Sequence, residues 1–190
     1  MKVTEPQAWH HFLEDGVIQG EKVKSYRKYL REAASLFAST EGEDPDTLLY
    51  TVYSYEAGDA RKKGDLYWGM TVLEPVTIHG ECNMTRGHFH MDWDCAEFYF
   101  GISGTGLLLL MDEDGKAWAE RVAPGSLHHI DGHLAHRLIN TGVRFCAWGP
   151  AGPPRPGMIT GPRKKCRSRA VCIRETGKSC GRKISNRWDI

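Results

Sequence analysis

The stretch between residues 48 and 150 most constrains what this chain can fold into. LLYTVYSYEAG, DLYWGMTVLEP, AEFYFGISG, TGLLLLMDEDG, KAWAERVAPG, SLHHIDG, AHRLINTG and RFCAWGP are short runs rich in Val, Ile, Tyr, Phe, Trp and Leu, each closed by turn residues. Branched and aromatic side chains suit a pleated, half-buried surface. Short runs separated by regular turn signals indicate an all-β sandwich or barrel. Asp114-Gly115 suits a tight hairpin between Met111 and Trp118, and Gly104-Thr105-Gly106 suits another.

Upstream, the pattern changes. Residues 1–20 read as irregular, punctuated by Pro6, Gly16 and Gly20. Within residues 21–39, Val23, Tyr26, Leu30, Ala33, Ala34 and Phe37 recur at helical spacing, which predicts one amphipathic helix. An acidic loop, EGEDPDT, follows at 41–47. The expected organisation is therefore an N-terminal arm and helix over 1–47, a β domain over 48–148 and a basic segment over 149–190.

The formal charge of +1 hides an asymmetry: residues 150–190 carry 11 Lys and Arg against 2 Asp and Glu, leaving 14 against 22 before them. A basic tail can bind nucleic acid, but this one lacks the interleaved aromatics that stack on bases. A tail folded back on the acidic body is the reading we adopt, with neither a nucleic-acid nor a membrane partner. No apolar run reaches transmembrane length, and MKVTEPQAWHHFLEDG shows no basic stretch leading into an apolar one. A cytoplasmic protein with reduced cysteines is expected. Cys82, Cys95, Cys146, Cys166, Cys172 and Cys180 form no Cys-x-x-Cys pair.

The chemistry concentrates in TRGHFHMDWDCAEFYFG, residues 85–101. On a strand, alternate side chains share a face, so His88 and His90 would project together. Met91–Asp94 can turn the chain, and Glu97 can return on the next strand to face both imidazoles. Two neutral histidines and a carboxylate suit a divalent transition metal with positions open for substrate. His136 in HLAHRLIN is a fourth candidate. His128 and His129 are neighbours, so only one of them can face inward. Read alone, Thr71 and Thr85 are ordinary strand threonines, and Tyr50 and Tyr99 are ordinary core.

The context adds more. Six residues separate Glu97 from Gly104, three separate His136 from Asn140, and Pro124-Gly125 precedes the strand leading to His136. Together these resemble the two cupin motifs. The six residues between His90 and Glu97 exceed the usual spacing, and Asp131 stands where the second motif has proline. The longer spacing resembles one branch, the cupin-type glucose-6-phosphate isomerases of archaea and some bacteria. The landmarks are LLYTVYSYE with Tyr50, KGDLYWGMTVLEP, TRGHFH, AEFYFGISGTG, the APG turn and LAHRLINTG, and they span roughly residues 48–148.

This resemblance implies a single cupin jelly-roll (double-stranded β-helix) barrel with an N-terminal arm containing one helix. It implies a divalent transition metal on His88, His90, Glu97 and His136, with Fe2+ ahead of Mn2+, Ni2+, Co2+ and Zn2+. It places a sugar phosphate against Tyr50, Thr71, Thr85 and the backbone of Gly87, with Glu97, His136 and Tyr99 as catalytic groups and a homodimer as the assembly. The implied activity interconverts glucose 6-phosphate and fructose 6-phosphate. Two other uses of the same site stay open on the residues: a metal-dependent cupin oxygenase and a non-catalytic sugar-phosphate-binding protein. From AWGPAGPPRPG onward the chain departs from the family, which carries Ala-Gly-His-Asp-Tyr-Gly in that region.

Overall fold

The computed structural model describes residues 1–10, 15–57, 66–90, 93–142 and 146–152. Expectations about 153–190, and part of the expected turn at 91–94, lie outside these residues. Within them the protein is built almost entirely of antiparallel strands. In chain order these are β1 (Trp9–His10), β2 (Ile18–Gln19), β3 (Lys24–Tyr29), a one-turn helix α1 (Leu30–Ala33) running into a 3-10 turn (Ala34–Leu36), β4 (Leu48–Ala57), β5 (Leu66–Leu73), β6 (Thr77–Ile78), β7 (Glu81–Cys82), β8 (Glu97–Ser103), β9 (Gly106–Met111), β10 (Ala117–Val122), β11 (Leu127–Ile130), β12 (Ala135–Asn140) and β13 (Cys146–Gly152).

The strands expected from residue 48 onward all form, with ends within a few residues of those expected. Turn chemistry accounts for the agreement. At the Asp114-Gly115 hairpin, Gly115 has φ +82° and its N–H donates to the Asp112 carbonyl at 3.1 Å. An L-residue with a Cβ rarely adopts that conformation.

Two sheets face each other. One has six strands in the order β11-β8-β13-β5-β4-β3, the other three in the order β10-β9-β12. The segment before β8 runs beside β12 through bridges at Met84–Ile139 and His88–His136. Hydrogen bonds do not close the sheets into a continuous barrel among the described residues, so the expected barrel is a pair of facing sheets here. The core between them joins Leu49, Leu73, Met84, Leu108, Leu110, Val122, Ile130 and Leu138 to Leu30, Ala33, Leu36 and Phe37 of the arm. The run Leu108–Met111 on β9 is buried throughout, as suits a central strand covered on both sides. Full burial of each leucine contributes about 1.5–3 kcal/mol.

The long helix expected over 21–39 shrinks to α1. Lys24–Tyr29 is instead an edge strand paired with β4. Helical spacing put Val23 and Leu30 on one stripe, but the structure uses them on opposite sides of a sheet. Val23 packs in an outer cluster with Ile18, Met70, Val72, Tyr53 and Ile102, whereas Leu30 packs in the inner core. A strand can serve both faces and a helical stripe cannot. The exposed edge of β4 needed a partner, and pairing overrode weak helical propensity. The N-terminal region is also less irregular than expected, since β1 and β2 pair.

Candidate metal centre

β12 and the segment beside it place two imidazoles together. His136 N–H donates to the His88 carbonyl at 3.1 Å, and His88 N–H donates back at 3.3 Å. His88 and His90 are thus not on a regular strand as expected, because one bridge rather than a ladder holds them. Their side chains still converge: ring centroids are 4.3 Å apart for His88 and His136, 5.2 Å for His90 and His136, and 5.7 Å for His88 and His90. Glu97, the first residue of β8, closes the set from the other sheet. One ligand atom from each of His88, His90, Glu97 and His136 lies within 4.8 Å of all the others.

The orientation of the rings fits a cation. His90 Nδ1 lies 2.5 Å from the Cys95 carbonyl and His136 Nδ1 lies 3.3 Å from the Leu134 carbonyl. A carbonyl only accepts, so both rings carry their proton on Nδ1 and turn an Nε2 lone pair inward. His90 Nε2 is 2.9 Å and His136 Nε2 2.7 Å from Glu97 Oε1. The His136 approach is close but not aligned as a hydrogen bond, and His88 Nε2 is buried with no hydrogen-bond partner at all. A buried polar atom without a partner is costly, and a metal ion would satisfy all of these atoms at once. The donor set of imidazole nitrogens and a carboxylate suits a divalent transition metal.

Electrostatics agrees. Burial pushes His88 from the ordinary 6.5 down to about 3, helped by its histidine neighbours and opposed by Glu97. Burial alone would raise Glu97, but the adjacent imidazoles of His136 and His90 hold it well below the usual carboxylate range. Burial opposes charge on His90 too, yet Glu97 and the Cys95 carbonyl lift its pKa. A neutral His88 and an ionised Glu97 are the forms that bind a metal.

The carbonyl that orients His90 has its own support. A Cβ on Gly132 would overlap the Trp93 carbonyl oxygen and meet the Cys95 carbonyl at 2.9 Å. Gly132→Ala is expected to push back the 93–95 backbone and weaken metal binding by about 10-fold, the low end of what outer-shell changes cost. Titration with a chelator of known affinity measures it. Unchanged affinity would show the loop to be adaptable.

The remaining expected residues fall around this centre. Tyr99 follows Glu97 on the same face, with its ring 5.5 Å from His136, and burial keeps its hydroxyl protonated far beyond the ordinary range. Thr71 faces inward, because Met70 and Val72 beside it pack outward. Tyr50 accepts the backbone N–H of Arg86, which ties β4 to the Thr85-Arg86-Gly87 turn. Thr85 Oγ1 accepts the Leu138 N–H at 3.0 Å, so this hydroxyl also has a structural duty on β12. Gly87 is buried beside His88.

Sequence reasoning missed Lys28. It stands opposite Tyr50 across β3 and β4, half-buried, with its ammonium 2.7 Å from Tyr26 Oη and 3.6 Å from Glu32 Oε1. Its strand had been read as helix, which hid the alternation that turns it inward. Of the other histidines, His128 is buried and bonded to Glu120 and Ser126, while His129 is exposed against Phe98.

A sequence model of the family described as glucose-6-phosphate isomerase matches residues 21–142. The glucose-6-phosphate isomerase of Thermococcus litoralis is 37% identical over 159 residues, covering 80% of this chain and 82% of that protein. That of Thermococcus kodakarensis is 39% identical over 136 residues, covering 68% and 69%. Among solved structures, oxalate decarboxylase from Bacillus subtilis superimposes with a TM-score of 0.47 and 17% identity over 58% of this chain and 27% of that one.

Proposed function

The chain belongs to the glucose-6-phosphate isomerase family, and from that premise we propose that the cluster of His88, His90, Glu97 and His136 is the centre at which it interconverts glucose 6-phosphate and fructose 6-phosphate. The observation that carries this reading is the convergence of their four ligand atoms within 4.8 Å, with His88 Nε2 buried and unpartnered. Those four residues would hold a divalent ion, and Fe2+ is our choice among the transition metals. A bound ion supplies Lewis-acid polarisation of the carbonyl and hydroxyl oxygens at C1 and C2.

The protein's own groups do the rest. A carboxylate held as low as Glu97 is a strong ligand and a weak base, and His136 is committed through Nδ1 to Leu134 and through Nε2 to the cluster, which points to Tyr99 as the group acting on the sugar hydroxyls. Tyr99 keeps its proton and so can donate to a sugar oxygen. At the other end of the cleft, Thr71, the Thr85 hydroxyl proton and the Gly87 N–H can bind the phosphate, with Tyr50 lining the approach. Lys28 and Arg86, whose charges both act on the Tyr50 hydroxyl, add a positive field for a dianion.

The direct test is a coupled assay of purified, metal-loaded protein with both hexose phosphates, alongside metal analysis. Turnover that follows metal content supports the reading, and a loaded protein that turns over neither sugar sinks it. Thr71→Val should raise KM more than it lowers kcat, since one hydrogen bond to a charged group is worth about 1.5–3 kcal/mol. Equal effects on an unphosphorylated sugar would remove Thr71 from the phosphate site.

No helix among the described residues is long and apolar enough to cross a membrane, and we place the protein in the cytoplasm. We also read it as a homodimer. The outer face of the six-stranded sheet exposes Leu66, Trp68, Phe98, Phe100 and Leu127, a patch of the kind that marks an interface. Sedimentation at twice the 21.4 kDa chain mass is expected, and a monomer at micromolar concentration would overturn it.

A further inference from the structure

Tyr67 belongs neither to the ligand set nor to the phosphate end. It also packs in neither of the two apolar clusters, although Tyr50, Tyr53 and Tyr99 all do. Its position is set by β5. Met70 and Val72 turn outward, so Tyr67, Gly69 and Thr71 turn to the face between the sheets. Tyr67 stands opposite Glu56 on β4 and Gly152 on β13. On the far side of β13, Ala151 stands opposite Phe98, and one step further along β8 is Glu97. Tyr67 and Glu97 therefore flank one short row of the sheet, with only β13 between their strands. That is roughly 9–10 Å from backbone to backbone, so both side chains rise from the same face into one space, and the charge of Glu97 acts on the phenol.

The environment of the hydroxyl is specific. Burial raises its pKa, a hydrogen bond from Ser54 lowers it, and the charges of Glu56 and Glu97 raise it further. Tyr67 in turn acts on Tyr99. Ser54 and Tyr67 are joined through their hydroxyls, and each hydroxyl can both donate and accept, so the phenol can take the Ser54 proton and turn its own O–H to another acceptor. The result is a second phenol on the same inner face as Glu97 and Tyr99, two strands away from them and hydrogen-bonded to a hydroxyl of the neighbouring strand.

Resting on the isomerase reading above, we propose that Tyr67 is a further substrate-contacting residue, whose hydroxyl donates to an oxygen at the carbonyl end of the open-chain sugar phosphate beside Tyr99. Its contribution is to the sugar and not to the phosphate, because Tyr67 sits in the row beside Glu97, whereas Thr71 lies further along β5 and Thr85 is held to Leu138 on β12. Ser54 acts through it as a positioning residue.

Tyr67→Phe and Ser54→Ala in the metal-loaded full chain test this, with calorimetric titration of fructose 6-phosphate and of inorganic phosphate, steady-state kinetics and metal analysis on each. Tyr67→Phe is expected to lose about 3- to 10-fold in affinity for fructose 6-phosphate, the range of one neutral hydrogen bond. Phosphate affinity and metal content should stay within twofold. Ser54→Ala should lose less, in the same direction, and carries the test alone if the phenylalanine variant fails to fold. Wild-type affinity for fructose 6-phosphate in Tyr67→Phe overturns the inference, as does an equal loss of phosphate and metal binding, which would mark a structural role. A wild-type protein that binds no sugar phosphate overturns instead the functional reading on which this rests.

Discussion

Replacing His88 with alanine is expected to strip the protein of its divalent ion and to lower kcat/KM for glucose 6-phosphate by more than about 100-fold, the upper end of what an outer-shell change costs. The reason lies in where the imidazole is trapped. His88 is buried, its backbone is bridged in both directions to His136, and its Nε2 has no hydrogen-bond partner. Among the described residues only His90, Glu97 and His136 join it in the cluster, and each already supplies its own ligand atom. The controls are His128, His129 and His133. His128 is already bonded to Glu120 at 2.6 Å, and His133 to Glu113 at 3.0 Å. His129 lies on the outer face against Phe98. Alanine at any of these should leave the metal stoichiometry intact. Elemental analysis after dialysis, with circular dichroism to confirm folding, reads the difference. A His88→Ala protein that keeps one ion per chain would show the ligand set to be misassigned.

Acidification of the metal-free protein is expected to destabilise it steeply, and much of the effect should trace to the same residue. His88 titrates near 3 in the folded protein and near 6.5 when exposed. Between those values the unfolded chain binds a proton that the folded one refuses, so stability falls as pH falls. The contribution is complete above pH 6.5 and is lost on the way down to about 3. At about 1.4 kcal/mol per pH unit it sums to roughly 4–5 kcal/mol. Glu97, held below its ordinary value, works in the same direction below about pH 4.5. His90 works against both: its raised pKa contributes stability at low pH that is lost as pH rises. The window from 6.5 to 4.5 therefore belongs mainly to His88. Chelator-treated protein should melt roughly 4–8 °C lower at pH 5 than at pH 7 through this residue, and the difference should largely vanish in His88→Ala. A wild-type melting point that does not change between these pH values, or a variant that keeps the full slope, would contradict the assignment. Metal-loaded protein should resist until protons displace the ion from its ligands.

The strands from residue 48 onward were legible because their signals are local. Alternating aromatic and branched residues, closed by a glycine that tolerates positive φ, specify a strand and its end with no help from distant parts of the chain. The candidate cluster was legible in part for a similar reason. The separations among His88, His90 and Glu97 are short-range, whereas His136, a candidate at a strand start, joined them through the family resemblance, and the four side chains do converge in the fold. The failures are equally particular. Lys24–Tyr29 carries helical spacing, yet the open edge of β4 drew it into the sheet, and with it went the inward turn of Lys28.

The amino-acid sequence by itself determined an all-β body from residue 48 onward and the grouping of His88, His90 and Glu97, because these depend on residues close together along the chain, while His136 joined them through its resemblance to a family motif. Tertiary structure alone decided the rest. It placed His88 on a bridge to His136 instead of on a strand, tied Thr85 Oγ1 to Leu138 N–H 53 residues away, and set Gly132 against the carbonyls of Trp93 and Cys95. It also brought Tyr67 across β13 towards Glu97. These depend on which strands neighbour each other and in what register, and a one-residue slip in register turns every side chain of a strand to the opposite face.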